Sequence, residues 1–520
     1  MRSLRQSRFW WISAFLLVFS VITAQTLREY DEPQRPQFHF SPAKNWTNDP
    51  NGLVYYKGEY HLFYQYNPFG ETWGHMSWGH AVSKDLVHWQ HLPIALLEEN
   101  GVMIFSGSAV VDWNNSSGLC RNPDPKDQSC LVAIYTGHTE TNQSQHIAWS
   151  NDRGRTWTKY KGNPVLDIGY KDFRDPKVFW HAPAKKWVMV VSLSKEQKVR
   201  FYGSPDLKTW EALSDFGPAG VTNGLWECPD LFELPIEGNP QQKKWVLIVN
   251  INPGGVSGGS GGQYFIGSFD GRQFINDAAL DQKLYLDYGK DFYAAVSWSD
   301  MPRTDGRRVL LGWMTNWEYA NQEPTSPWRG AMSLPRTVSL RKSAGDFILV
   351  QKPVMELHHL RTALRSFHNL TLTSKPGDEE FVMTLPVNGD ALELIAEIEG
   401  EAAASGFRLR KGIGEQTIVA YHPRSREIVI DRTSSGNVNF SKTFSGKHSV
   451  KLRPPHNIKL QLHIFVDRSS VEVFVNGGEA VITDRIFPDP QSQSLELFVR
   501  DGSVNFKTLR VWKLKSAWKQ

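Results

Sequence analysis

The chain has 520 residues, 40% of them hydrophobic and 22% charged, with 41 Gly and 29 Pro. This ordinary globular balance excludes a collagen-like or largely disordered chain, and the length accommodates two large all-β units or three smaller domains. The formal charge is +4, but Arg2, Arg5 and Arg8 supply three of those positives, and the nearly neutral remainder excludes the basic surface of a nucleic-acid binder.

Residues 1–24 read as a secretory leader. Three arginines form its basic start, Phe9 to Val18 its apolar centre, and Ile22-Thr23-Ala24 its cleavage site. The apolar run is short for a membrane span, and no other stretch is long enough to cross a bilayer. A secreted, extracellular protein, free of the membrane after cleavage, is therefore expected. Asn-x-Ser/Thr acceptors follow at Asn45, Asn114, Asn115, Asn142, Asn369 and Asn439. Cys120 and Cys130 bracket a loop rich in Asn, Pro and Asp, where a disulfide suits an oxidising compartment, and Cys228 is left over. Three cysteines without matching His spacing argue against a zinc site, so neither metal nor cofactor is expected.

From about 36 to 340 the chain repeats itself weakly. A short apolar strand with a polar lead-in starts at Gly58, Cys130, Lys185, Lys243 and Arg307, recurring about 55 to 72 residues apart. A second element follows four of these: a strand, a Ser-x-Asp turn at Ser83, Ser150, Ser204 or Ser268, then an aromatic residue. Units of this size cannot bury a face alone and should stack radially, so an all-β, five-bladed β-propeller is expected, with a β-sandwich as the competing arrangement. Residues 341–365 read as a connector, in which Pro353 to Leu364 has apolar residues at helical spacing. From 366 to 516 strict alternation with Asn-Gly and Asp-Gly turns points to a C-terminal β-sandwich. That unit shows no paired acids with a reaction geometry, and its expected role is to support the first, with sugar binding as the weaker alternative.

The openings of the repeats carry the chemistry. They read Trp46-Thr47-Asn48-Asp49-Pro50-Asn51-Gly52, Phe105-Ser106-Gly107-Ser108, Phe173-Arg174-Asp175-Pro176, Trp226-Glu227-Cys228-Pro229-Asp230 and Asp291-Phe292-Tyr293. If each begins an innermost strand, Asp49, Asp175 and Glu227 converge at one end of a central channel. A single Asp-Pro is more often a turn opener, but three acids at matching places in three repeats form a pattern. Converging carboxylates without a metal constellation or nucleotide loop suit glycoside hydrolysis. The 20 Trp agree with large cores or with platforms for sugar rings. The Gly254–Gly262 run has no following Lys-Ser/Thr and reads as a flexible connection near the channel mouth, not a phosphate loop. Trp73 to His80, dense in aromatics and His, suits sugar stacking or core packing better than a metal.

Together, Asn48–Gly52, Arg174-Asp175-Pro176 and Glu227-Cys228-Pro229 resemble glycoside hydrolase family 32, the invertase, inulinase and levanase group. The likeness covers nearly the whole chain after the leader, including Phe465 to Phe474 in the second unit. It implies Asp49 as nucleophile, Glu227 as acid and then base, and Asp175 as transition-state stabiliser with Arg174 beside it. Asn48, Gln65, Trp73, Phe105 and Ser106 match positions lining the fructose subsite, Trp313 matches less firmly because Trp317 lies nearby, and Cys228 would tune the acid's surroundings. The implied activity is a retaining β-fructofuranosidase releasing terminal fructose from sucrose or fructans. The rivals are a fructosyltransferase using the same intermediate, a non-catalytic fructan-binding protein, and an inverting arabinan-type hydrolase, which the Asn48–Gly52 context fits poorly.

Overall fold

In every repeat the recurring apolar segment is the second strand of an antiparallel unit. Blade I comprises Asn45–Tyr56, Glu59–Asn67, Ser77–Ser83 and Trp89–Leu96; in blade II, Met103–Asp112, Cys130–His138 and Gln143–Ser150 are joined at the edge by Thr158–Lys159 and Leu166–Tyr170. Blade III comprises Phe173–His181, Lys186–Leu193, Lys198–Ser204 and Glu211–Phe216, and blade IV Leu225–Ile236, Asn239–Asn252, Gly261–Phe269 and Phe274–Asn276. Blade V comprises Tyr293–Ser297, Arg308–Trp313, Arg336–Ser343 and Asp346–Pro353. The first strand of each blade contacts the first strand of the next, and that of blade V contacts blade I, which closes the ring around a channel. This computed structural model describes residues 30–121, 126–302, 304–343, 345–375, 377, 380–453 and 459–518; the leader expected over 1–24 lies outside them.

Local chemistry explains both recurring elements. The second strands are covered on both faces by neighbouring blades, so they read as continuous apolar runs rather than alternating ones. Leu131, Val132, Ala133 and Ile134 are all 0% exposed, and each large side chain buried this way contributes about 1.5–3 kcal/mol. The Ser-x-Asp element is the turn between third and fourth strands. The Asp85 carboxylate accepts from the Val87 and His88 backbone N–H groups at 3.1 and 2.8 Å. Asp206 does the same for Lys208 and Thr209, and Asp270 for Arg272 and Gln273. Cys120 and Cys130 are disulfide-bonded at the entry to the second strand of blade II.

The helix expected from Pro353 to Leu364 is not formed. Arg336–Ser343 and Asp346–Pro353 are the outer hairpin of blade V, Met355–Leu360 is a 3-10 turn, and Arg361–Ser374 is already a strand. Much of the 341–365 connector is therefore sheet. Val354, Leu357 and Leu360 are buried at three-residue spacing, which suits a 3-10 repeat as well as an α-helical one, and six residues between two anchored strands leave no room for more. Beyond it, Leu392–Lys411 pairs along one edge with Ser494–Leu514 and along the other with Leu460–Asp467 and Gln416–His422. The resulting sheets pack face to face as a β-sandwich around an apolar, mostly aliphatic core including Phe407, Ile464, Val473 and Leu497.

The two units meet through buried ion pairs. Arg336 of blade V, 0% exposed, donates to Asp287 Oδ2 at 2.9 Å and to Glu472 Oε2 and Thr483 Oγ1 at 2.6 Å. His39 bridges Asp467 and Glu472 at 2.7 and 2.9 Å. The two acids of the Phe465–Phe474 segment are thus engaged in holding the sandwich to the propeller.

Candidate active site

Each of the five innermost strands slips register at the same place, between Thr47 and Pro50, Ile104 and Gly107, Arg174 and Lys177, Glu227 and Asp230, and Tyr293 and Val296. A bulge breaks the alternation and re-aims side chains, so the five repeat openings all present groups to one end of the channel. Asp175, Cys228 and Ala294 hold positive φ of 66°, 43° and 52° at these bulges. Such strained backbone is concentrated at functional sites.

A cavity of about 210 Å³ results, lined by Asp49, Asp175 and Glu227. Asn48, Gln65, Trp73, Phe105, Ser106 and Arg174, all expected from the sequence, also face it. The Asp49 carboxylate accepts from Ser106 Oγ at 2.7 Å, Asn48 Nδ2 at 3.1 Å and the Cys228 thiol at 3.4 Å. Trp46 Nε1 fixes the orientation of Asn48 by donating to its Oδ1 at 2.8 Å. Asp175 accepts from the Cys228 N–H at 2.9 Å, so one residue touches both aspartates. Glu227 accepts from Arg174 Nε at 3.0 Å and from the Tyr293 hydroxyl. Gln65 is anchored on the Ile104 carbonyl at 3.0 Å, and Phe105 stacks on His138 with ring centroids 4.1 Å apart.

One cation faces three carboxylates, and the electrostatics reflect that imbalance. Burial pushes the Asp49 carboxyl above its usual range, the Ser106 bond opposes this and the Glu227 charge adds to it. Burial also pushes Asp175 up, to about 7, with Arg174 opposing and Glu227 and Asp49 reinforcing. Burial works against the Arg174 charge, but Glu227 and Asp175 more than restore it. Cys228 and Tyr293 are held protonated, first by burial and then by the surrounding carboxylates, so both serve as donors. The cluster as a whole retains a proton toward neutral pH.

Trp313 does not reach the cavity. It is 0% exposed and packs edge-on against Trp46. Trp317 stands between it and the cavity, 4.8 Å from the Trp313 ring, and forms the wall. Trp317 belongs to the insertion between the second and third strands of blade V, which turns back toward blade I and pairs Trp328–Arg329 in parallel with Asn45–Trp46. Tyr293, Leu225 and Asn252 also line the site without having been singled out. Tyr293 occupies in the fifth repeat the place that Asp49, Asp175 and Glu227 hold in the first, third and fourth, and that correspondence was its available signal. The Gly254–Gly262 run is packed rather than loose: Asn316 Nδ2 donates to the Gly258 and Ser260 carbonyls at 3.2 Å. At Gly259, φ is +64° and a Cβ would lie 2.1 Å from Asn316 Oδ1, so only glycine fits. In the Trp73–His80 stretch, Trp73 is 41% exposed at the mouth while Trp78 is 0% exposed in the core.

A larger cavity, about 990 Å³, opens at the opposite end of the channel. Its acids are already partnered: Asp300 accepts from Val111 N and Trp113 Nε1, and deeper in the channel Lys177 pairs with Asp230 at 3.2 Å. No group of three or more metal-binding side chains occurs among the described residues, and no helix among them is long and apolar enough to cross a membrane.

Comparison with known proteins agrees with this geometry. The glycosyl hydrolases family 32 N-terminal domain matches residues 39–353 and the family's C-terminal domain residues 356–513. A Bacillus subtilis levanase is 53% identical over 495 residues, covering 94% of this chain and 72% of the relative. The crystal structure of Aspergillus awamori exo-inulinase superposes with a TM-score of 0.86 at 39% identity, covering 94% of this chain and all, 100%, of that one. A Schwanniomyces occidentalis fructofuranosidase complexed with fructosylnystose gives 0.84 at 33% identity, covering 94% and 99%. With both domains matched and the acids gathered at one mouth, the chain belongs to family 32 of the glycosyl hydrolases and is a glycoside hydrolase.

Proposed function

We propose that this protein is a secreted, retaining β-fructofuranosidase that removes terminal fructose from fructans and sucrose. The observation that carries the reading is the sharing of one cavity by Asp49, Asp175 and Glu227, with a single arginine among them. The relatives' names, levanase and exo-inulinase, support the substrate class. A cavity of about 210 Å³ has room for one sugar ring and favours attack at a chain end.

Asp49 receives three hydrogen bonds and makes none in return; they offset part of the upward push of burial and aim its oxygen, which suits a nucleophile. Its oxygen attacks the anomeric carbon of the terminal fructosyl unit as the bond to the leaving oxygen breaks. Glu227 gives its proton to that oxygen, leaving a fructosyl ester on Asp49. Glu227, now a carboxylate, takes a proton from water, and the water oxygen displaces Asp49 with the β configuration restored. Asp175 and Arg174 hold the ring hydroxyls as positive charge develops. Retention calls for the two carboxyl groups to lie about 5–5.5 Å apart. The Cys120–Cys130 disulfide and the leader-like start support secretion.

The test is a time course of products from sucrose, inulin and levan, read by chromatography with the anomer followed by NMR, alongside Asp49→Asn and Glu227→Gln. Fructose alone from the first minutes, released as the β anomer, is expected. Long early fragments, an α product, oligofructans dominating at high sucrose, or full activity in both variants would each overturn part of the reading.

A further inference from the structure

Arg432 lies in the sandwich strand Glu427–Ser434 and is 0% exposed, yet its side chain reaches into the propeller. Nη1 donates to Asp291 Oδ2, Nη2 to the Tyr319 hydroxyl at 2.9 Å, and Nε to the Phe444 carbonyl at 2.8 Å. The Tyr319 hydroxyl in turn donates to Asp291 Oδ1, so guanidinium, phenol and carboxylate form a closed triangle. The Phe444 ring covers the guanidinium at 3.9 Å, and Tyr319, Phe444 and Phe487 form a small apolar cluster around it.

The triangle fixes two segments at once. Asp291 is two residues before Tyr293, whose hydroxyl holds Glu227, and Tyr319 is two residues after Trp317, which walls the sugar cavity. Between them Asn316 ties Trp317's segment to the Lys290 carbonyl at 2.8 Å and to the Gly-rich loop. The backbone of Asp291 is itself paired to the sandwich, its N–H donating to the Thr483 carbonyl at 3.1 Å. Two further buried cations stand here: Arg485, whose backbone N–H donates to Asp291 Oδ2 at 2.7 Å and whose guanidinium faces Glu323 at 3.6 Å, and Lys290, whose ammonium pairs with Glu318 at 2.9 Å and donates to the Thr443 carbonyl at 2.9 Å; neither guanidinium nor ammonium bonds the Asp291 carboxylate and the Tyr319 hydroxyl together as Arg432 does.

We infer that Arg432 is a positioning residue of the hydrolase: through Asp291 and Tyr319 the sandwich sets where the Tyr293 hydroxyl meets Glu227 and where Trp317 meets the sugar. A buried ion pair that only joined two domains would add stability or folding specificity. One whose partners each stand two residues from a site side chain also fixes the geometry of proton delivery, where small displacements are costly. The inference rests on Glu227 being the proton donor.

Three full-length variants test it, each assayed on sucrose and inulin with the thermal midpoint measured in parallel. Arg432→Lys keeps the charge but loses the fork that holds Asp291 and Tyr319 together, and kcat/KM should fall about tenfold. Tyr319→Phe removes only the hydroxyl and should cost about fivefold, most of it in kcat. Both should displace the alkaline limb of the pH profile, which reports the proton held among Glu227, Asp49, Asp175, Arg174, Cys228 and Tyr293. Asp484 and Arg485, the other charges facing Arg432, are unchanged in both variants. Tyr319→Phe should cost less than about twofold when Tyr293→Phe is already present, because the two then act along one path. Should Arg432→Lys fail to fold, Tyr319→Phe alone decides. A lowered thermal midpoint with kcat, KM and the alkaline limb all within about twofold of the parent would make the triangle a domain fastener only and overturn the inference. Glu227→Gln serves as the separate check: if it remains active, the assignment of the donor has failed, whereas an inactive Glu227→Gln beside a normal Tyr319→Phe defeats only the role of Arg432.

Discussion

Two regions of this molecule bury carboxylates, and they partner them differently. At the propeller–sandwich interface Asp287, Asp467 and Glu472 each face an arginine or histidine. At the channel mouth Asp49, Asp175 and Glu227 share one arginine. His39 opposes burial and holds Asp467 below the usual carboxylate range, as Arg336 and His39 do for Glu472. Burial is not offset at the mouth, and Asp49 and Asp175 move up. Pairing that includes His39 separates Asp467 and Glu472 from the acids at the mouth, whereas Asp287, facing Arg336 alone, stays above the usual carboxylate range because its burial outweighs that charge.

The contrast can be broken from either side. Asp49→Asn should lower kcat by about 10⁴-fold or more, because a neutral amide cannot form the ester. Its thermal midpoint should stay level or rise, since a like-charge contact is relieved; a midpoint that collapses would mean Asp49 is a structural acid. Arg336→Leu should cost about 3–5 kcal/mol in denaturant unfolding, because Asp287 would be left buried without its cation and Glu472 with His39 alone. A cost near zero would erase the distinction. Trp317→Ala should raise KM for sucrose about tenfold through loss of the aromatic wall, whereas Trp313→Phe should act on stability with KM nearly unchanged; the reverse result would restore Trp313 as the sugar contact.

Two pH measurements sharpen the comparison. Activity should decline as pH rises through about 7, where the mouth loses the proton that burial and the Glu227 and Asp49 charges hold on Asp175. It should also decline at low pH as Asp49, raised by burial, takes up a proton. A flat kcat/KM profile from about pH 3 to 9 would contradict the shared proton. The interface should show a smaller effect, on stability. His39 is raised in the folded state, with burial opposing and Asp467 and Glu472 prevailing. Its contribution is therefore full below about 6.5 and is lost as pH rises through the raised value. Asp467 and Glu472 are lowered, so theirs is full above about 4 and is lost as pH falls through the depressed values. Thermal midpoints at constant ionic strength should peak between those limits.

The propeller was legible because its second strands, buried on both faces, must be apolar throughout, and because each Ser-x-Asp turn needs a side chain to satisfy exposed backbone N–H groups. The acids were legible because they recur at matching places in the repeats. The connector misled: apolar residues at 354, 357 and 360 fit a 3-10 turn as well as a helix, and periodicity over so few residues does not separate them. Trp313 and Trp317, one helical turn apart in sequence, differ only in which side of an irregular segment they occupy.

The all-β class, the five repeats and the three acids can be read from the order of residues alone, because local hydrogen bonding and two-sided burial leave their mark along the repeats. It takes the folded chain to show that Tyr293 holds Glu227, that Trp317 rather than Trp313 walls the cavity, and that Arg432 reaches from the sandwich to both segments. These contacts join residues tens to more than a hundred positions apart, and no periodicity encodes a meeting that depends on how the ring closes and how the second domain docks against it.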